Sequence, residues 1–239
     1  MQKLEGFTWA TALDLNMGYY HIKLDPDAQK ICTIVFPWGK YQYLRLPMGI
    51  HCAPDMFQEQ MYEIMSGLNF IKTYLDDLLM MTSDTLDDHL RKLELVLDRL
   101  KANGLKVNAE KSTFCATEIE YLGYRITRDG IQPLPKKVQA ILDLEPPTNL
   151  KELRRVLGIV QYYRDIWQQR SHILAPLTEL VGKVKRKFKW ERVHQESFKT
   201  MKKIVSRDVL LAYQDFNVPF EIYTDASDRQ LGAVITQNG

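Results

Sequence analysis

The stretch that most constrains the fold is NFIKTYLDDLLMMT, residues 69–82. Two apolar runs, Phe70–Leu75 and Leu78–Met81, flank the adjacent acids Asp76 and Asp77. This pattern predicts two short strands joined by a tight turn across the acids. Two-residue hairpin turns favour Asn-Gly, Asp-Gly or Gly-Gly because they need positive φ angles, and this turn contains no glycine. The chain therefore places two negative charges in an unfavourable turn between apolar strands.

Adjacent carboxylates in such a turn cost free energy unless something neutralises them. Two carboxylates about 5 Å apart repel by roughly 1 kcal/mol in water and by several times more at low dielectric. Protonation of one group or a bound cation relieves the repulsion. Oxygen ligands at a turn suit Mg²⁺, and a third carboxylate would allow two ions about 4 Å apart, as in phosphoryl transfer. A third acid near the pair would therefore indicate a two-metal site.

Asp14 is the candidate third acid. It lies near the end of FTWATALDL, residues 7–15, which is rich in strand-forming residues, and Gly18 marks the turn that follows. An unpaired charge at the end of a buried strand is costly. A helix cap would account for Asp14 alone, and a surface turn would account for Asp76 and Asp77 alone. Acids at the ends of two apolar strands together favour a shared metal site.

The first 130 residues mix strand and helix patterns irregularly, which predicts an α+β or α/β domain. A hairpin is predicted around residues 37–39. A helix is predicted after Pro54, with a stop at Gly67. A further strand is predicted over IEYLGYRIT, residues 119–127.

Residues 83–107 predict the longest helix, with Gly104 as its C-terminal cap. Its predicted apolar stripe is Leu86, Leu90, Leu93, Leu97 and Leu100. From residue 131 the pattern becomes helical, first over residues 136–144 and then after Asn149, whose side chain forms a cap with Glu152. Period-two alternation returns only near the C-terminus.

Charge divides the chain into two halves of opposite sign. Residues 1–100 carry nine Lys and Arg against 14 Asp and Glu, a net charge of −5, whereas residues 101–239 carry 23 against 16, a net charge of +7. KVKRKFKWER, residues 183–192, holds six basic residues with Phe188 and Trp190 between them. A basic second half favours a polyanionic partner. Trp190 could stack on a base, but burial is the favoured role for it.

Composition sets the remaining bounds. A hydrophobic content of 45% in 239 residues supports one large or two smaller domains. The three widely spaced cysteines indicate neither a disulfide framework nor a zinc site, and the default is a reducing compartment. The apolar runs are too short to span a membrane, and the first residues lack the pattern of a signal peptide.

The chain resembles reverse transcriptases, especially those of gypsy-type long-terminal-repeat retrotransposons and, more distantly, retroviruses. The motifs that carry the resemblance, in the family's order, are ALDLNMGYYHI, YQYLRLPMGIHCAPDMFQ, TYLDDLL and YLGYRIT. LGIVQYYRDI and APLTEL resemble the thumb segment that follows, and FEIYTDAS resembles the first strand of the adjoining RNase H domain. The resemblance implies an α+β right-hand polymerase fold. The implied domains are a palm with partial fingers over residues 1–130 (fingers about 21–55), a helical thumb over 131–182, a connection over 183–216 and a truncated RNase H-like domain over 217–239.

The resemblance also implies roles for single residues. The implied ligands of two Mg²⁺ ions, with Mn²⁺ as the alternative metal, are Asp14, Asp76, Asp77 and the carbonyl of Leu15. Tyr19 lies where the family has an aromatic gate against a ribose 2′-OH, and a core tyrosine is the alternative. Lys111 matches a lysine proposed as the general acid for pyrophosphate, and a solvated lysine is equally consistent with the sequence.

Further implied contacts concern the nucleotide and the primer. The residues that the resemblance places at the nucleotide are Tyr19, Met48, Gly49 and Gln58. Those that it places at the primer and template are Tyr74, Leu75, Leu122, Gly123 and Tyr124. Asp225 matches the first catalytic aspartate of RNase H. The other acidic ligands of that site are expected beyond residue 239, so we expect no RNase H activity from this chain.

The expected function is RNA- and DNA-directed DNA synthesis within a retrotransposon polyprotein. The expected partners are an RNA or DNA template with its primer, deoxynucleoside triphosphates and the rest of the polyprotein, without a membrane, in cytoplasmic virus-like particles. The family carries a basic fingers segment before the first strand, which this chain begins too late to include, so the isolated chain is expected to be weakly active or inactive. A relic that only binds nucleic acid and an unrelated Mg²⁺-dependent nuclease are the alternatives.

Overall fold

The computed structural model describes residues 6–164, 170–182, 188–206, 211, 213, 214, 216–226 and 231–237. The chain forms two compact units that divide between Tyr121 and Leu122. The strands are β1 (Trp9–Leu15), β2 (Thr33–Phe36), β3 (Gly39–Gln42), β4 (Ile71–Tyr74), β5 (Asp77–Thr82), β6 (Val107–Ala116), β7 (Ile119–Tyr121), β8 (Tyr124–Ile126), β9 (Ile131–Pro133), β10 (Glu221–Ala226) and β11 (Leu231–Thr236). The α-helices are α1 (Pro26–Ile31), α2 (Ala53–Ile64), α3 (Leu86–Ala102), α4 (Pro135–Leu142), α5 (Leu150–Tyr162), α6 (Arg170–Gly182) and α7 (Arg192–Val205).

The first unit is built on an antiparallel sheet with the strand order β4-β5-β1-β6. β1 lies in the middle, and its residues Ala10, Leu13 and Leu15 are buried. α2 and α3 contribute buried side chains to the core that also holds Leu13, Leu15 and residues of β5. The mixture of helices and an antiparallel sheet confirms the predicted α+β class.

α2 and the β2–β3 hairpin agree with the sequence prediction. α2 has Pro54 in its first turn, buries Phe57 and Met61 one turn apart, and ends at Ile64 shortly before Gly67, whose φ is 79°. β2 and β3 pair around the predicted turn, with Phe36 opposite Gly39.

The turn between β4 and β5 lies one residue earlier than predicted. Tyr74 pairs with Asp77, so the two turn residues are Leu75 and Asp76, and Asp77 is the first residue of β5. Leu75 has a φ of 52° and supplies the positive angle for which a glycine was expected. For a bulky residue this conformation costs on the order of 1–3 kcal/mol and persists only where the surroundings enforce it.

α3 forms where it was predicted, but its buried face is not the leucine stripe. Leu93 and Leu100 are buried, whereas Leu86, Leu90 and Leu97 are more than one third exposed. The residues that complete the buried face are His89 and Val96. The imidazole of His89 lies 2.8 Å from the hydroxyl oxygens of both Thr11 and Thr82, so hydrogen bonding compensates for its burial. The C-terminal cap agrees with the prediction, because Gly104 has a φ of 74°.

Residues 119–127 contain two strands rather than the single predicted one. β7 ends at Tyr121, and β8 begins at Tyr124 after Leu122 and Gly123, which have φ angles of 46° and 77°. Two consecutive positive φ angles break a strand and are typical of a tight two-residue turn.

The second unit holds the helices α4 to α7 and the strand pairs β8–β9 and β10–β11. Asn149 caps α5 as predicted, because its side chain accepts a hydrogen bond from the backbone N–H of Glu152. Trp190 is half-buried at the start of α7, where its ring packs against His194 and Phe198. This agrees with the structural role favoured from the sequence. Residues 183–187 of the basic tract lie outside the described residues.

Candidate active site

The register of the central sheet brings the three aspartates together. Asp14 lies directly opposite Asp77 in the β1–β5 ladder. The backbone N–H of Leu15 donates to the carbonyl oxygen of Asp76 at 2.9 Å. Asp14 and the adjacent acids Asp76 and Asp77, which are distant from it in sequence, therefore meet at one end of the sheet, as the acids at the two strand ends predicted.

Asp76 and Asp77 lie in an environment that disfavours their negative charge. Burial, followed by the charges of Asp14 and Asp77, raises the pKa of Asp76 above its usual range. Burial, followed by the charge of Asp14, raises the pKa of Asp77 in the same direction. Oδ1 of Asp76 is buried and has no hydrogen-bond partner within the described part of the chain. The site thus contains repelling acids and an unsatisfied acceptor.

The ligand chemistry of these residues fits a hard cation. Carboxylate oxygens are what Mg²⁺ prefers in proteins, and an unsatisfied buried acceptor is a free coordination position. Across the described residues, no three or more His, Cys, Asp or Glu side chains are already spaced around a single point as metal ligands. The carboxylate donors and the unsatisfied oxygen of Asp76 therefore support cation binding here. The described side chains are not already gathered around one point as metal ligands.

Gly18 lies against the aspartate cluster. It begins a 3₁₀ helix, Gly18–His21, and it is buried. A Cβ built on Gly18 would overlap Oδ1 of Asp76 and would lie 2.6 Å from Cζ of Phe57. Only a residue without a side chain allows the Asp76 carboxylate to occupy its position. The sequence indicated a turn at Gly18 but gave no sign of this close approach.

Two tyrosines, Tyr19 and Tyr121, interact with the aspartate cluster. The ring of Tyr19 lies 5.3 Å from that of Phe57, and the pKa of Tyr19 is raised by burial and then by the charges of Asp76 and Tyr74. The hydroxyl of Tyr121 donates to the carbonyl oxygen of Asp77 at 3.3 Å. Burial and the charge of Asp77 raise the pKa of Tyr121 as well. These phenols therefore stay protonated and available as hydrogen-bond donors.

Gln58 of α2 contacts the turn through both ends of its amide. Its Nε2 donates to the carbonyl oxygen of Thr73 at 3.3 Å and to the Thr73 hydroxyl at 3.1 Å. Its Oε1 accepts from the backbone N–H of Leu75 at 2.7 Å. Tyr74, between these two residues, is exposed. The structure thus brings Gln58, Tyr74 and Leu75 together at the turn that carries Asp76.

β6 supports Asp14 from the other side. The backbone N–H of Asp14 donates to Oγ of Ser112 at 3.1 Å, and that hydroxyl donates to the carbonyl oxygen of Asn108 at 2.6 Å. Sequence reasoning missed Ser112, because VNAEKSTFCA lacks an apolar alternation that would have indicated a strand beside β1. Lys111 is the neighbour of Ser112, but its side chain is exposed, and no ion pair among the described residues joins it to the aspartates.

The remaining predicted contacts are Met48, Gly49 and residues 122–124. Met48 and Gly49 are exposed before α2, and no hydrogen bond in the described chain joins either to the aspartates. Leu122, Gly123 and Tyr124 belong to the second unit, where the Tyr162 hydroxyl donates to the Leu122 carbonyl oxygen and the rings of Tyr124 and Tyr162 lie 5.5 Å apart.

Asp225 also belongs to the second unit. It pairs with Gly232 in the β10–β11 ladder, and its side chain lies outside the described part of the structure. Its predicted role as an RNase H remnant therefore stays a prediction.

Two family models match the chain. Residues 1–126 match the model described as "Reverse transcriptase (RNA-dependent DNA polymerase)". Residues 190–239 match the model described as "RNase H-like domain found in reverse transcriptase".

Curated relatives are polyproteins of transposable elements. The chain is 37% identical over 95% of its length to the retrovirus-related Pol polyprotein from transposon opus of Drosophila melanogaster and covers 24% of that relative. It is 35% identical over 99% of its length to the corresponding polyprotein from transposon 297 of the same species and covers 22% of it. The chain therefore spans about a quarter of the length of these relatives.

A solved structure shares the fold. The foamy viral protease–reverse transcriptase dRH in complex with double-stranded DNA superposes with a TM-score of 0.89 at 24% identity, over 98% of this chain and 41% of that chain. The foamy viral protease–reverse transcriptase in complex with an RNA/DNA hybrid gives a TM-score of 0.85 at 23% identity, over 97% of this chain and 34% of that chain. These similarities confirm the predicted polymerase architecture at the level of the fold.

Proposed function

Because this chain belongs to the reverse transcriptase family, as its motifs predicted, we propose that it carries the catalytic centre of an RNA- and DNA-directed DNA polymerase within a retrotransposon polyprotein. The reaction is template-primed transfer of nucleotides from deoxynucleoside triphosphates. The observation that carries the proposal is the meeting of Asp14, Asp76 and Asp77 at the end of the central sheet. The raised pKa values of Asp76 and Asp77 and the unsatisfied oxygen of Asp76 support a cation site there.

In this proposal Asp14, Asp76 and Asp77 hold two divalent cations, Mg²⁺ or Mn²⁺, with the carbonyl of Leu15 as a further ligand. When bound, such ions lower the pKa of a primer 3′-hydroxyl and neutralise charge on the triphosphate and the leaving pyrophosphate. The protein supplies the positions of the carboxylates. The β1–β5 register fixes the positions of Asp14 and Asp77. Asp76 is held by the hydrogen bond that its carbonyl oxygen accepts from the backbone N–H of Leu15. Positioning of this kind contributes much of the rate in phosphoryl transfer.

Tyr19 is proposed as the residue that distinguishes deoxyribose from ribose. It lies beside Phe57 and directly follows Gly18, which closely approaches Oδ1 of Asp76, so it is close to the proposed metal site. A tyrosine ring there would leave no room for an extra hydroxyl on the sugar. Met48 and Gly49 are exposed and accessible to a nucleotide, and Lys111 is accessible to pyrophosphate, as the resemblance implies.

The proposed partners are an RNA or DNA template with its primer, deoxynucleoside triphosphates and the rest of a polyprotein, in cytoplasmic virus-like particles. The net charge of +7 on residues 101–239 supports binding to a polyanion through phosphate contacts. Such binding should weaken steeply with salt. None of the helices in the described ranges is long and apolar enough to cross a membrane.

Primer extension with a matched pair of variants tests the proposal. The chain is assayed alone and fused to the N-terminal fingers segment that the resemblance predicts, with labelled primer on RNA and on DNA templates and with Mg²⁺ or Mn²⁺. Asp76→Asn should lower extension at least about 100-fold, because it removes one ligand charge. Asp98→Asn, on the exposed face of α3, should keep the activity of the parent.

Each contrary outcome identifies an alternative. Salt-sensitive binding of duplex without extension by either protein, unaffected by Asp76→Asn, would identify a relic that only binds nucleic acid. Cleavage of a labelled RNA/DNA hybrid without extension would identify a metal-dependent nuclease.

A further inference from the structure

The turn that carries Asp76 is held in a conformation that its own residues do not favour. Leu75 has a φ of 52° without being a glycine, and Asp76 follows it directly with a buried, unsatisfied oxygen. A return of Leu75 to a negative φ would rotate the peptide that leads into Asp76. Some contact outside the turn must therefore fix this geometry.

Gln58 is the side chain that provides this contact. The N–H of Leu75 requires an acceptor and the carbonyl of Thr73 requires a donor, so the two ends of one amide satisfy groups on both sides of Tyr74. Gln58 is half-buried and follows Phe57, which is fully buried, so α2 presents the amide from a fixed base. With these bonds made, Oε1 and both N–H groups of the amide are engaged.

We propose that Gln58 is a positioning residue that clamps the Leu75–Asp76 turn and thereby sets the position of the Asp76 carboxylate, rather than a ligand of the nucleotide. The inference rests on the proposed polymerase function for its kinetic consequences but not for its structural ones. It assigns Gln58 a different task from the nucleotide contact that the family resemblance implied.

Gln58→Met tests the clamp at nearly constant shape. Methionine keeps the length and helix propensity of glutamine but offers neither the donor nor the strong acceptor. The control is Gln60→Met, on the same helix, because Oε1 of Gln60 is buried without a hydrogen-bond partner among the described residues. We expect Gln58→Met to lower kcat for nucleotide addition about 10- to 100-fold, since a misplacement of about 1 Å costs on this order. The KM for the nucleotide should change less than about threefold.

Rescue by glycine separates a clamp from a merely structural residue. Glycine adopts positive φ without strain, so Leu75→Gly removes the need for the clamp. Within the Leu75→Gly background, Gln58→Met should lower kcat by no more than about threefold. An equal loss in both backgrounds would overturn the inference, as would a raised KM with unchanged kcat, which would make Gln58 a nucleotide contact.

Amide hydrogen exchange gives a measurement that needs no activity. The N–H of Leu75 should exchange at least about tenfold faster in Gln58→Met than in the parent, whereas the N–H of Met81, which donates to Phe70 in the same hairpin, should be unchanged. Unchanged exchange at Leu75 would overturn the inference. If the chain extends no primer either alone or in the fused form, the proposed function fails, and the exchange rate alone decides the inference. If Gln58→Met does not fold, Thr73→Val takes its place, with about a two- to fivefold faster exchange at Leu75 expected and no change contradicting the clamp.

Discussion

Gly18→Ala should disable the candidate active site through a single added methyl group. Gly18 is buried at the start of the 3₁₀ helix, and its backbone angles are ones that alanine adopts without strain. The effect of the substitution therefore comes from the new Cβ and not from the backbone. That Cβ would overlap Oδ1 of Asp76 and lie 2.6 Å from Cζ of Phe57.

The size of the effect follows from these contacts. Carbon atoms pack at about 3.5–4.0 Å, so Phe57 and the Asp76 carboxylate must each retreat by about 1 Å. Overpacking of this kind costs about 1–3 kcal/mol, against a gain of about 0.4–1 kcal/mol from the smaller entropy of an unfolded chain with alanine. The free energy of unfolding should fall by about 1–2 kcal/mol. A carboxylate displaced by about 1 Å should lower kcat for primer extension about 100-fold.

Urea unfolding and primer extension measure the two effects separately. Gly158→Ala is the matched control, because Gly158 lies inside α5 and a Cβ there meets no atom within 4 Å. This control should raise the free energy of unfolding by up to about 1 kcal/mol, as expected for alanine in a helix interior, and keep the activity of the parent. The reasoning is refuted if Gly18→Ala extends primers within twofold of the parent rate.

Two further predictions concern pH and stability. Burial and then neighbouring charges hold the pKa of Asp76 and Asp77 above the usual value. The stability that these two groups contribute is therefore fully present below the unfolded pKa of about 4 and is lost as the pH rises through the folded pKa. Asp76→Asn should therefore raise the free energy of unfolding by about 1 kcal/mol at pH 7 without divalent metal, and a loss in urea unfolding would contradict this. Burial lowers the pKa of His89. The stability that His89 contributes is therefore fully present above the unfolded pKa of about 6.5, and the free energy of unfolding falls by up to about 1.4 kcal/mol for each pH unit below it. Thermal melts between pH 7 and 5 should show this slope in the parent and not in His89→Gln, and an equal slope in both would exclude His89 as its source.

The meeting of Asp14 with Asp76 and Asp77 could be predicted because it depends on a local signal. A charge at the end of an apolar strand is costly alone, and the sequence contains two such ends. The turn itself could not be placed correctly. Leu75 adopts a left-handed conformation against its own preference because Gln58, 17 positions earlier, accepts a hydrogen bond from its backbone N–H. Turn propensities describe only neighbouring residues, so a bond from another helix lies beyond them.

The prediction of the buried face of α3 was wrong for a related reason. Leucine spacing predicted a stripe through Leu90 and Leu97, but both are more than one third exposed, and His89 is buried between two threonines instead. Hydrophobic periodicity assigns a histidine to the surface, whereas two hydrogen-bond partners make its burial acceptable. These partners come from β1 and β5, which only the folded sheet brings next to the helix.

The turn between β4 and β5 combines two costly features, a left-handed leucine and a set of repelling carboxylates. Local interactions favour neither of them. Three different elements hold the turn in place: β1 through the Leu15 bond to Asp76, α2 through Gln58, and the 3₁₀ helix through the space left by Gly18. The energy that maintains this arrangement therefore comes from the packing of the whole first unit. A divalent ion that binds there meets a carboxylate already held by the fold, so its binding free energy does not also have to order the turn.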